Sequence, residues 1–425
     1  MDARTGMPRV GMVGGGQLAR MTHQAAIPLG QSLRVLAESA ADSAALIAPD
    51  VEIGTHTDLE ALRRFAAGCD VITFDHEHVP HDHIVTLTAE GYTLHPSASA
   101  LQFAQDKGQM RRRLTELGLP VPAFDVVPTG VPAGPAVEAF GAAHGWPVVL
   151  KTCRGGYDGR GVWMLRSIDH AAQVVADLPS DVDLLVEELV PLRRELAAVV
   201  ARSPFGQAAA WPVVETVQQD GICVEVIAPA PDLPGDRAVA AGELALRIAS
   251  TLGVVGVLAV ELFEVTPTAA YPDGLVINEL AMRPHNSAHW TQDGAVTSQF
   301  EQHLRAVLDY PLGATTAVHP WTAMANVIGA SPRNEERSPG MDERVHHLGA
   351  RFPTAKVHLY GKSFRPGRKL GHVNVGGADL AEVRRVAQLA GHYLSCGVWA
   401  DGYTLPPHGE NTAAGPGPTR ETVSR

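Results

Sequence analysis

Residues 148–165 read VVLKTCRGGYDGRGVWML, a glycine-rich loop between two apolar segments. The pattern predicts a β-hairpin whose loop has four glycines in seven residues. Backbone N–H groups of such a loop, together with Arg154, Arg160 and the strand-end Lys151, suit an anionic polyphosphate. No Lys-Ser/Thr pair follows the last glycine, so the loop is not a Walker A motif. An ordinary glycine hairpin is the alternative, but it leaves both arginines and the lysine without a function.

Two glutamates lie inside apolar segments further along the chain. Glu261 lies in AVELF and Glu279 in VINEL, where an ionised side chain is costly unless it is paired or binds a metal. A turn rich in proline and glycine separates the segments, which predicts a hairpin with the two carboxylates facing each other. Oxygen ligands of this kind suit Mg²⁺ together with nucleotide phosphates, with Mn²⁺ as a substitute. Exposure at a sheet edge is the alternative interpretation.

The first hundred residues alternate strand and helix patterns, which predicts parallel strands with crossover helices. Val10–Val13, Leu33–Ala37 and Val71–Phe74 are apolar segments, and the first is followed by GGGQLA and a helical pattern over 17–26. Read as G-x-G-x-x-A, with Glu38 after the next strand, this turn matches a dinucleotide fingerprint and predicts phosphate binding. A tight turn with glycines for packing only is the alternative.

A histidine-rich loop, DHEHVPHDH, occupies residues 75–83 directly after the third apolar segment. Four histidines in eight residues are compatible with a transition-metal site, although a solvated loop is the alternative. Glu77 lies at the carboxyl end of a predicted strand, where it can reach a ligand in an α/β crevice.

Composition narrows the function classes. The chain has 425 residues, enough for about two to four domains, and its 45% hydrophobic residues support buried cores. The net charge of −12 argues against a general nucleic-acid or membrane-surface binder, and no apolar run approaches the ~18 residues of a membrane span. Four cysteines without a CxxC pair, and an N-terminus without a signal-peptide pattern, favour a cytoplasmic protein. Only five of the 34 basic residues are lysines, so each lysine is a candidate for a site that needs a compact charge.

Changes in pattern divide the chain into three parts and a tail. Residues 1–105 are predicted to form a Rossmann-like domain, and residues 106–310 a central region that contains the glycine loop and the two glutamates. Residues 311–403 are predicted to form a small β-rich C-terminal domain, and residues 404–425 a disordered tail. The predicted fold class is therefore a multidomain combination of α/β and α+β.

Periodicity predicts individual elements within these parts. One helical pattern covers about 97–119 and another covers Leu244–Leu252. The C-terminal part contains three strand-like segments followed by a helical one, at 323–328, 355–360, 371–375 and 379–394.

Two further motifs carry polar and basic residues. RPHNSAHWT occupies residues 283–291, directly after the strand of Glu279. KSFRPGRKLGH occupies residues 362–372 and places four cations around a Pro-Gly turn. A phosphate monoester fits such a cluster of charges, and a solvated basic loop is the alternative.

These motifs together resemble the ATP-grasp ligases, and within them the 5-(carboxyamino)imidazole ribonucleotide synthase family of purine biosynthesis. The resemblance extends to about residue 400, and its specific parts are GGGQLARM (14–21), RGGYDGRG (154–161), NEL (278–280) followed by Arg283, HNSAHWT (285–291) and RPGRKLGH (365–372). It implies a Rossmann-like N-terminal domain, a central ATP-grasp domain that clamps the nucleotide between two β-rich lobes, and a C-terminal domain that completes the substrate pocket. The reaction it implies joins 5-aminoimidazole ribonucleotide (AIR) to bicarbonate through carboxyphosphate, while ATP is cleaved to ADP and phosphate. The resemblance also implies that the protein is a homodimer.

The same resemblance implies a role for each matching residue. The expected ATP-binding residues comprise phosphate contacts, the glycine loop, an adenine hinge and a ribose contact: Lys107, Lys151, Gly155, Gly156, Tyr157, Asp158, Gly159, Arg160, Gly161, Glu187, Glu188, Leu189, Val190, Glu195, Gln218, Asn278 and Glu279. The expected substrate-binding residues come from all three parts of the chain: Gln17, Glu77, Tyr157, Arg160, Asn286, Lys362, Arg368 and Lys369. Glu261 and Glu279 are the expected Mg²⁺ ligands. Asp158, Arg283 and Lys369 are the expected catalytic residues, and Asp158 is the candidate to assist proton movement.

The chain departs from the family pattern at Thr216 and Gln218, which replace asparagine and histidine. Three other functions stay open at this point. Another ATP-grasp carboxylating or formylating ligase would use a different acceptor. A nicotinamide-dependent oxidoreductase would use the Gly14–Ala19 turn and Glu38, and a nucleotide sensor would bind ATP without turnover.

Overall fold

The computed structural model describes residues 1–2, 4–156, 159–178, 181–330 and 339–404. The N-terminal domain contains β1 (Val10–Val13), α1 (Gln17–Ala26), a 3₁₀ turn (Ile27–Leu29), β2 (Leu33–Ala37), β3 (Asp50–Ile53), α2 (Leu59–Ala66), β4 (Val71–Phe74), α3 (His81–Ala89) and α4 (Ala98–Gln105). The strands pair in parallel in the order β3-β2-β1-β4. Every residue of β1 and β4 is buried, as expected for strands that are covered on both faces. Gly14 follows β1 with a φ of 107°, a conformation that glycine adopts without strain.

A second sheet forms a small lobe with mixed α and β elements. The lobe contains α5 (Lys107–Glu116), β5 (Phe124–Val127), α6 (Ala133–His144), β6 (Val148–Thr152), β7 (Val162–Leu165), α7 (Ile168–Ala176) and β8 (Leu184–Glu188). Its strands are antiparallel in the order β5-β8-β6-β7. The predicted hairpin around the glycine loop is confirmed, because β6 pairs with β7 from Val148↔Leu165 to Lys151↔Val162.

The largest sheet extends from the central region into the C-terminal part. Its elements are β9 (Leu192–Arg202), β10 (Ala208–Ala210), β11 (Val214–Gln219), β12 (Ile222–Ala228), α8 (Gly235–Thr251), β13 (Gly256–Val265), β14 (Leu275–Ala281), a 3₁₀ turn (Asn286–Ala288), α9 (Thr291–Gly294), α10 (Gln299–Val307), β15 (Trp321–Ile328), α11 (Met341–Arg351), β16 (Lys356–Leu359), β17 (Lys369–Gly377) and α12 (Leu380–Cys396). Within the described ranges the strand order is β14-β13-β9-β11-β12-β15-β17-β16, with β10 paired to β9.

The expected fold class is confirmed. The C-terminal strands continue the central sheet, because β15 pairs with β12. Three details of the sequence prediction were wrong. The helical pattern over 97–119 is two helices, because Asp106 has a φ of −136° and caps α5 by accepting from the Gln109 N–H at 2.9 Å. The helix predicted over Leu244–Leu252 begins earlier, at Gly235. The prediction also omitted β3, whose residues are only partly buried and carry no apolar run.

The packing brings three structural units around one space. The Gly14–Gly16 turn after β1 shares a cavity with residues 361–363 and Arg368, and Glu77, which follows β4, shares a cleft with residues of both antiparallel sheets. None of the helices in the described ranges is long and apolar enough to cross a membrane.

Candidate active site

A cleft of about 580 Å³ lies between the lobe sheet and the large sheet and is bordered by the N-terminal domain. Most of the expected site residues line it: Glu77, Lys107, Lys151, Gly155, Gly156, Gly159, Glu187, Glu188, Leu189, Val190, Glu195, Gln218, Glu261, Asn278, Glu279, Arg283, Asn286 and Lys369. Residues from 77 to 369 thus meet in one space, although they are far apart in the chain.

Two of the lysines that line the cleft are held by acidic and amide groups. Lys107, the first residue of α5, donates from Nζ to Glu279 Oε1 at 2.8 Å. Lys151, near the end of β6, lies 2.6 Å from Glu187 Oε2 and 3.3 Å from Asn278 Oδ1. Two ammonium groups on one wall provide the positive charge that a polyphosphate needs.

Glu187 belongs to the interior more than to the cleft surface. Its carboxylate also accepts from Arg111 Nε, and both side chains are almost completely buried. Burial alone would raise the pKa of Glu187, but Arg111 and Lys151 outweigh it and lower that pKa to about 2. Glu187 therefore orients Lys151, a function that the expected assignment to the adenine hinge did not include.

The two central glutamates face each other across the β13–β14 ladder, as the sequence predicts. Asn278 donates from Nδ2 to Glu261 Oε2 at 3.4 Å, and His285 Nε2 lies 3.4 Å from Glu261 Oε1. Burial, and then the charges of Glu279 and Glu195, raise the pKa of Glu261 to about 7. A cation between the carboxylates would remove this repulsion.

The donor set fits Mg²⁺. The described part of the chain contains no group of three or more His, Cys, Asp or Glu side chains placed to hold a metal ion. Mg²⁺ characteristically takes one or two carboxylates and completes its octahedron with waters and substrate phosphates, which is what Glu261 and Glu279 offer. Asn278 lies beside them with its amide already bonded to Glu261.

The segment from Glu188 to Val190 connects the lobe to the large sheet. Glu188 Oε1 accepts from the Tyr271 hydroxyl at 2.6 Å and from the Ala123 N–H at 3.1 Å. Val190 and Tyr271 belong to one small apolar cluster beside the cleft. The expected hinge segment is thus fixed by a tyrosine that the sequence analysis did not identify.

Glu195 and Gln218 lie on neighbouring strands β9 and β11 and line the same cleft. Burial raises the pKa of Glu195, while a hydrogen bond from the Gln218 side chain opposes that rise. Gln218 is therefore in place to orient Glu195, even though it departs from the family pattern.

One distant side chain, Glu77, holds the two residues that follow β14 and lead toward the HNSAHWT segment. Glu77 accepts from the Met282 N–H at 3.1 Å and from Arg283 Nε at 2.8 Å. Burial would lower the pKa of Arg283, but Glu77 more than compensates and raises it, so the guanidinium is charged. Glu77 and Arg283 form one ion pair at the border of the N-terminal domain. No local pattern in the sequence indicates that these two site residues are partners.

A second cavity, of about 590 Å³, lies between the N-terminal domain and the loop before β17. Lys362 and Arg368 line it together with the Gly14–Gly16 turn, and Lys362 Nζ donates to Gln17 Oε1. His78 lines both cavities, so the two spaces are adjacent. The expected substrate residues are therefore distributed between two neighbouring spaces.

The glycine turn after β1 is not open to a phosphate. The Gly16 N–H donates to Asp75 Oδ2 at 2.5 Å, and the Ala19 N–H donates to Asp75 Oδ1 at 3.1 Å. A carboxylate of the protein thus takes the position at the start of α1 that a dinucleotide phosphate would need. Glu38 is paired with His56 at 3.3 Å. The predicted phosphate-binding function of this turn is not supported, and neither is the oxidoreductase interpretation.

The histidine side chains of the 75–83 loop do not come together around one point. The His76 ring packs against His56 and His78, with centroids 4.5 Å and 5.4 Å away. His81 and His83 lie in the first turn of α3. Burial, and then the neighbouring histidines, lower the pKa of His76 to about 3.

Some expected residues lie elsewhere. Tyr157 and Asp158 lie outside the described residues, and so do residues 405–425 of the predicted tail. Arg160 and Gly161 are described but are not part of the cleft lining. Sequence reasoning missed Arg111, His285 and Tyr271 as contacts of the site; only His285 had a local signal, its place in the HNSAHWT motif.

Comparisons with known proteins cover the three parts of the chain in order. A model of the ribonucleotide synthetase preATP-grasp domain matches residues 7–105, and a model of the ATP-grasp domain matches residues 112–300. A model of the phosphoribosylaminoimidazole carboxylase C-terminal domain matches residues 322–386.

Individual relatives are similar over almost their whole length. The N5-carboxyaminoimidazole ribonucleotide synthase of Mycobacterium tuberculosis is 60% identical over 397 residues, which is 93% of this chain and 90% of the relative. The synthase structure from Aspergillus clavatus in complex with ATP has a TM-score of 0.81 at 31% identity and covers 91% of this chain and 98% of its own. The structure of the A. clavatus synthase with ADP and 5-aminoimidazole ribonucleotide has a TM-score of 0.80 at 30% identity, with the same coverage.

Proposed function

The chain belongs to the N5-carboxyaminoimidazole ribonucleotide synthase family, and we propose that it carboxylates AIR with bicarbonate while ATP is cleaved to ADP and phosphate. Family membership makes it an ATP-grasp ligase of purine biosynthesis. The observation that carries the proposal for this chain is the opposed pair Glu261 and Glu279 beside Lys107 and Lys151 in one cleft. Opposed carboxylates with adjacent ammonium groups are a poor way to stabilise a fold and a good way to bind a metal–polyphosphate.

We assign the metal to the glutamate pair. Mg²⁺ held by Glu261 and Glu279 would neutralise charge on the β- and γ-phosphates of ATP. The raised pKa of Glu261 supports this assignment, because burial and the neighbouring carboxylates outweigh the charges of Lys107 and Lys369. Lys107, bonded to Glu279, and Lys151, oriented by Glu187, are in place to contact the phosphates from the lobe.

The proposed chemistry is a phosphoryl transfer followed by a carboxylation. Bicarbonate attacks the γ-phosphorus, the bond to ADP breaks, and carboxyphosphate forms. Carboxyphosphate releases CO₂ and phosphate beside bound AIR, and the exocyclic amine of AIR adds to the carbon and loses a proton. We assign acceptance of that proton to Asp158 and stabilisation of the developing negative charge to Arg283 and Lys369. Closure of the cleft against water protects carboxyphosphate from hydrolysis.

We assign AIR to the border of the two cavities. Lys369 and Asn286 line the first cavity, whereas Lys362 and Arg368 line the second. We expect the ribonucleotide phosphate to bind the cations of the loop before β17, and the aminoimidazole would then lie toward the glutamate pair. Glu77 and Gln17 supply polar contacts from the N-terminal domain.

The test is ADP release by the purified protein with Mg-ATP, with and without AIR and ¹³C-bicarbonate. We expect release that requires AIR, together with a labelled carboxylated product. ADP release that is indifferent to AIR would refute the proposed acceptor and leave another ATP-grasp ligase. Glu279→Gln should abolish turnover with the circular dichroism spectrum unchanged, and wild-type-like turnover in that variant would refute the metal assignment.

We also propose that the protein works as a cytoplasmic homodimer. Cys69, Cys153 and Cys223 form no disulfide, which fits a reducing compartment, and the homodimer is the assembly that the family resemblance implies. Light scattering of the purified protein should give about twice the 45.0 kDa mass of the chain.

A further inference from the structure

Four aromatic side chains form a polar cluster behind the cleft, and three of them are buried while His358 is half-buried. His289, His358, Tyr360 and His372 make up this group, called here the imidazole cluster. The His358 and His372 rings stack with centroids 4.6 Å apart and planes at 14°, and the His289 ring lies 4.9 Å from His372. The Tyr360 hydroxyl and His372 Nδ1 are 2.8 Å apart.

A glutamine and an aspartate hold the two ends of the cluster, and the glutamine determines which nitrogen of His289 carries the proton. Gln299 is completely buried; its Oε1 accepts from the His285 N–H at 2.7 Å, and its Nε2 donates to the His285 carbonyl at 2.8 Å. This arrangement identifies Nε2 as the amide nitrogen, which also lies 2.8 Å from His289 Nδ1. His289 Nδ1 therefore accepts, and the ring proton is on Nε2. Asp293 Oδ2 fixes the other end of the cluster, 2.7 Å from His358 Nε2.

The cluster joins all three parts of the chain. Tyr360 belongs to the C-terminal part but packs with Leu18 and Met21 of α1 and with Phe300 of α10. Its carbonyl oxygen accepts from the Ser43 hydroxyl of the N-terminal domain. His289 follows the Asn286–Ala288 turn of the central region, whereas His372 lies in β17.

Three members of the imidazole cluster come from different segments of the chain, and each lies close in sequence to a proposed AIR contact. Asn286 is three residues before His289, and Lys369 is three residues before His372. Lys362 is two residues after Tyr360. The three AIR contacts come from distant segments, so the packing between the segments determines how far apart the contacts lie.

We propose that the imidazole cluster positions Asn286, Lys362 and Lys369 relative to one another and thereby sets the affinity for AIR. His289, Tyr360 and His372 are positioning residues in this proposal, which rests on the proposed function. The two lysines proposed to contact ATP are held by residues outside the cluster, because Lys107 and Lys151 bond to Glu279, Glu187 and Asn278.

The chemistry of the cluster favours positioning over simple packing. Buried imidazoles cost desolvation that aromatic hydrocarbons of the same size would avoid. His372 Nε2 is buried and has no hydrogen-bond partner among the described residues, a further cost. The polar groups make the packing geometry specific. Ring stacking and four directed hydrogen bonds allow one arrangement of the segments, whereas an apolar contact allows several.

The test compares two buried tyrosines of the C-terminal part. Tyr360→Phe removes the bond to His372, and Tyr393→Phe is the matched control, because the Tyr393 hydroxyl lies 2.7 Å from His347 Nδ1 in a core away from the cleft. We expect Tyr360→Phe to raise the KM for AIR about tenfold, the equivalent of about 1.4 kcal/mol, with the KM for ATP unchanged. Tyr393→Phe should change neither KM.

His372→Asn provides a second variant whose amide can still bond to the Tyr360 hydroxyl. We expect a smaller rise in the KM for AIR than in Tyr360→Phe, because the hydrogen bond is kept and only the stacking is lost. An unchanged KM for AIR in Tyr360→Phe, equal rises for both substrates, or equal effects of the two tyrosine variants would overturn the proposal. Absence of AIR-dependent turnover in the wild type would instead refute the proposed function.

Discussion

Replacing Glu261 by glutamine should make the metal-free protein more stable while it removes activity. The pKa of Glu261 is raised from 4.5 to about 7 by burial and by Glu279 and Glu195. Between these values the folded protein binds more protons than the unfolded chain, so the free energy of unfolding falls as the pH rises. Glutamine at this position carries no charge and is free of that penalty.

The magnitude follows from the shift. One pKa unit corresponds to ~1.36 kcal/mol, so the shift corresponds to a cost on the order of 3 kcal/mol above pH 7. Glu261→Gln should therefore exceed the wild type in free energy of unfolding by up to that amount at pH 8. The difference should shrink below pH 7 and vanish near pH 4.5.

The assay is thermal and urea unfolding in EDTA over a series of pH values. Glu264→Gln is the matched control, because Glu264 lies on the same strand but is bonded to Arg194 and Arg237, which lower its pKa. Its contribution has the opposite sign: it is present above the unfolded pKa and is lost as the pH falls. Glu264→Gln should therefore destabilise the protein at pH 8 by about 3 kcal/mol.

Two results would refute this reasoning. A Glu261→Gln protein less stable than the wild type at pH 8 in EDTA would show that the carboxylate is already neutralised within the protein. A stability difference that does not change between pH 5 and pH 8 would show that titration of Glu261 is not its source. Added Mg²⁺ and ADP should stabilise the wild type and not the variant.

Three further predictions follow from contacts in and near the cleft. Glu187→Gln leaves two buried cations unpaired and should lower the free energy of unfolding, measured by urea titration, by about 3–5 kcal/mol. Glu116→Gln removes one partner of an exposed ion pair and should change the same free energy by less than about 0.5 kcal/mol. Gly16→Ala places a Cβ 2.2 Å from Asp75 Oδ2 and should cost about 1–3 kcal/mol, whereas Gly134→Ala meets nothing within 4 Å and should change the melting temperature little. Lys362→Met should raise the KM for AIR about tenfold or more and leave the KM for ATP unchanged in steady-state kinetics, and equal effects on both would contradict the assignment.

The features of the site that depend on residues close together in the chain could be predicted from the sequence. Glu261 and Glu279 face each other because a turn at known distance from both sets the register of the hairpin. The Val10–Val13 and Val71–Phe74 strands were equally clear, because buried parallel strands are continuous apolar runs.

Contacts between distant segments could not be predicted. Nothing near Asp75 indicates that its carboxylate fills the glycine turn after β1, and nothing in the HNSAHWT segment indicates that His289 packs against His372. A strand pattern also does not name its partner: β15 could be predicted as a strand, but not as a neighbour of β12. These features depend on the packing of the three parts, which adjacent residues do not encode.

The two lysines that are proposed to bind the nucleotide also link the lobe to the large sheet. Lys107 of the lobe side bonds to Glu279 of β14, and Lys151 bonds to Asn278 of the same strand. Bound ATP with Mg²⁺ would take over both partners, since the metal would occupy Glu279 and the phosphates would draw the ammonium groups. Nucleotide binding then exchanges one set of charge pairs for another and leaves no buried charge unpaired, which avoids the desolvation penalty of opening an ion pair. Lys107 and Lys151 therefore make contacts between the lobe side and β14 that bound nucleotide would exchange, whereas Lys369 and Glu261 lie on strands of one continuous sheet.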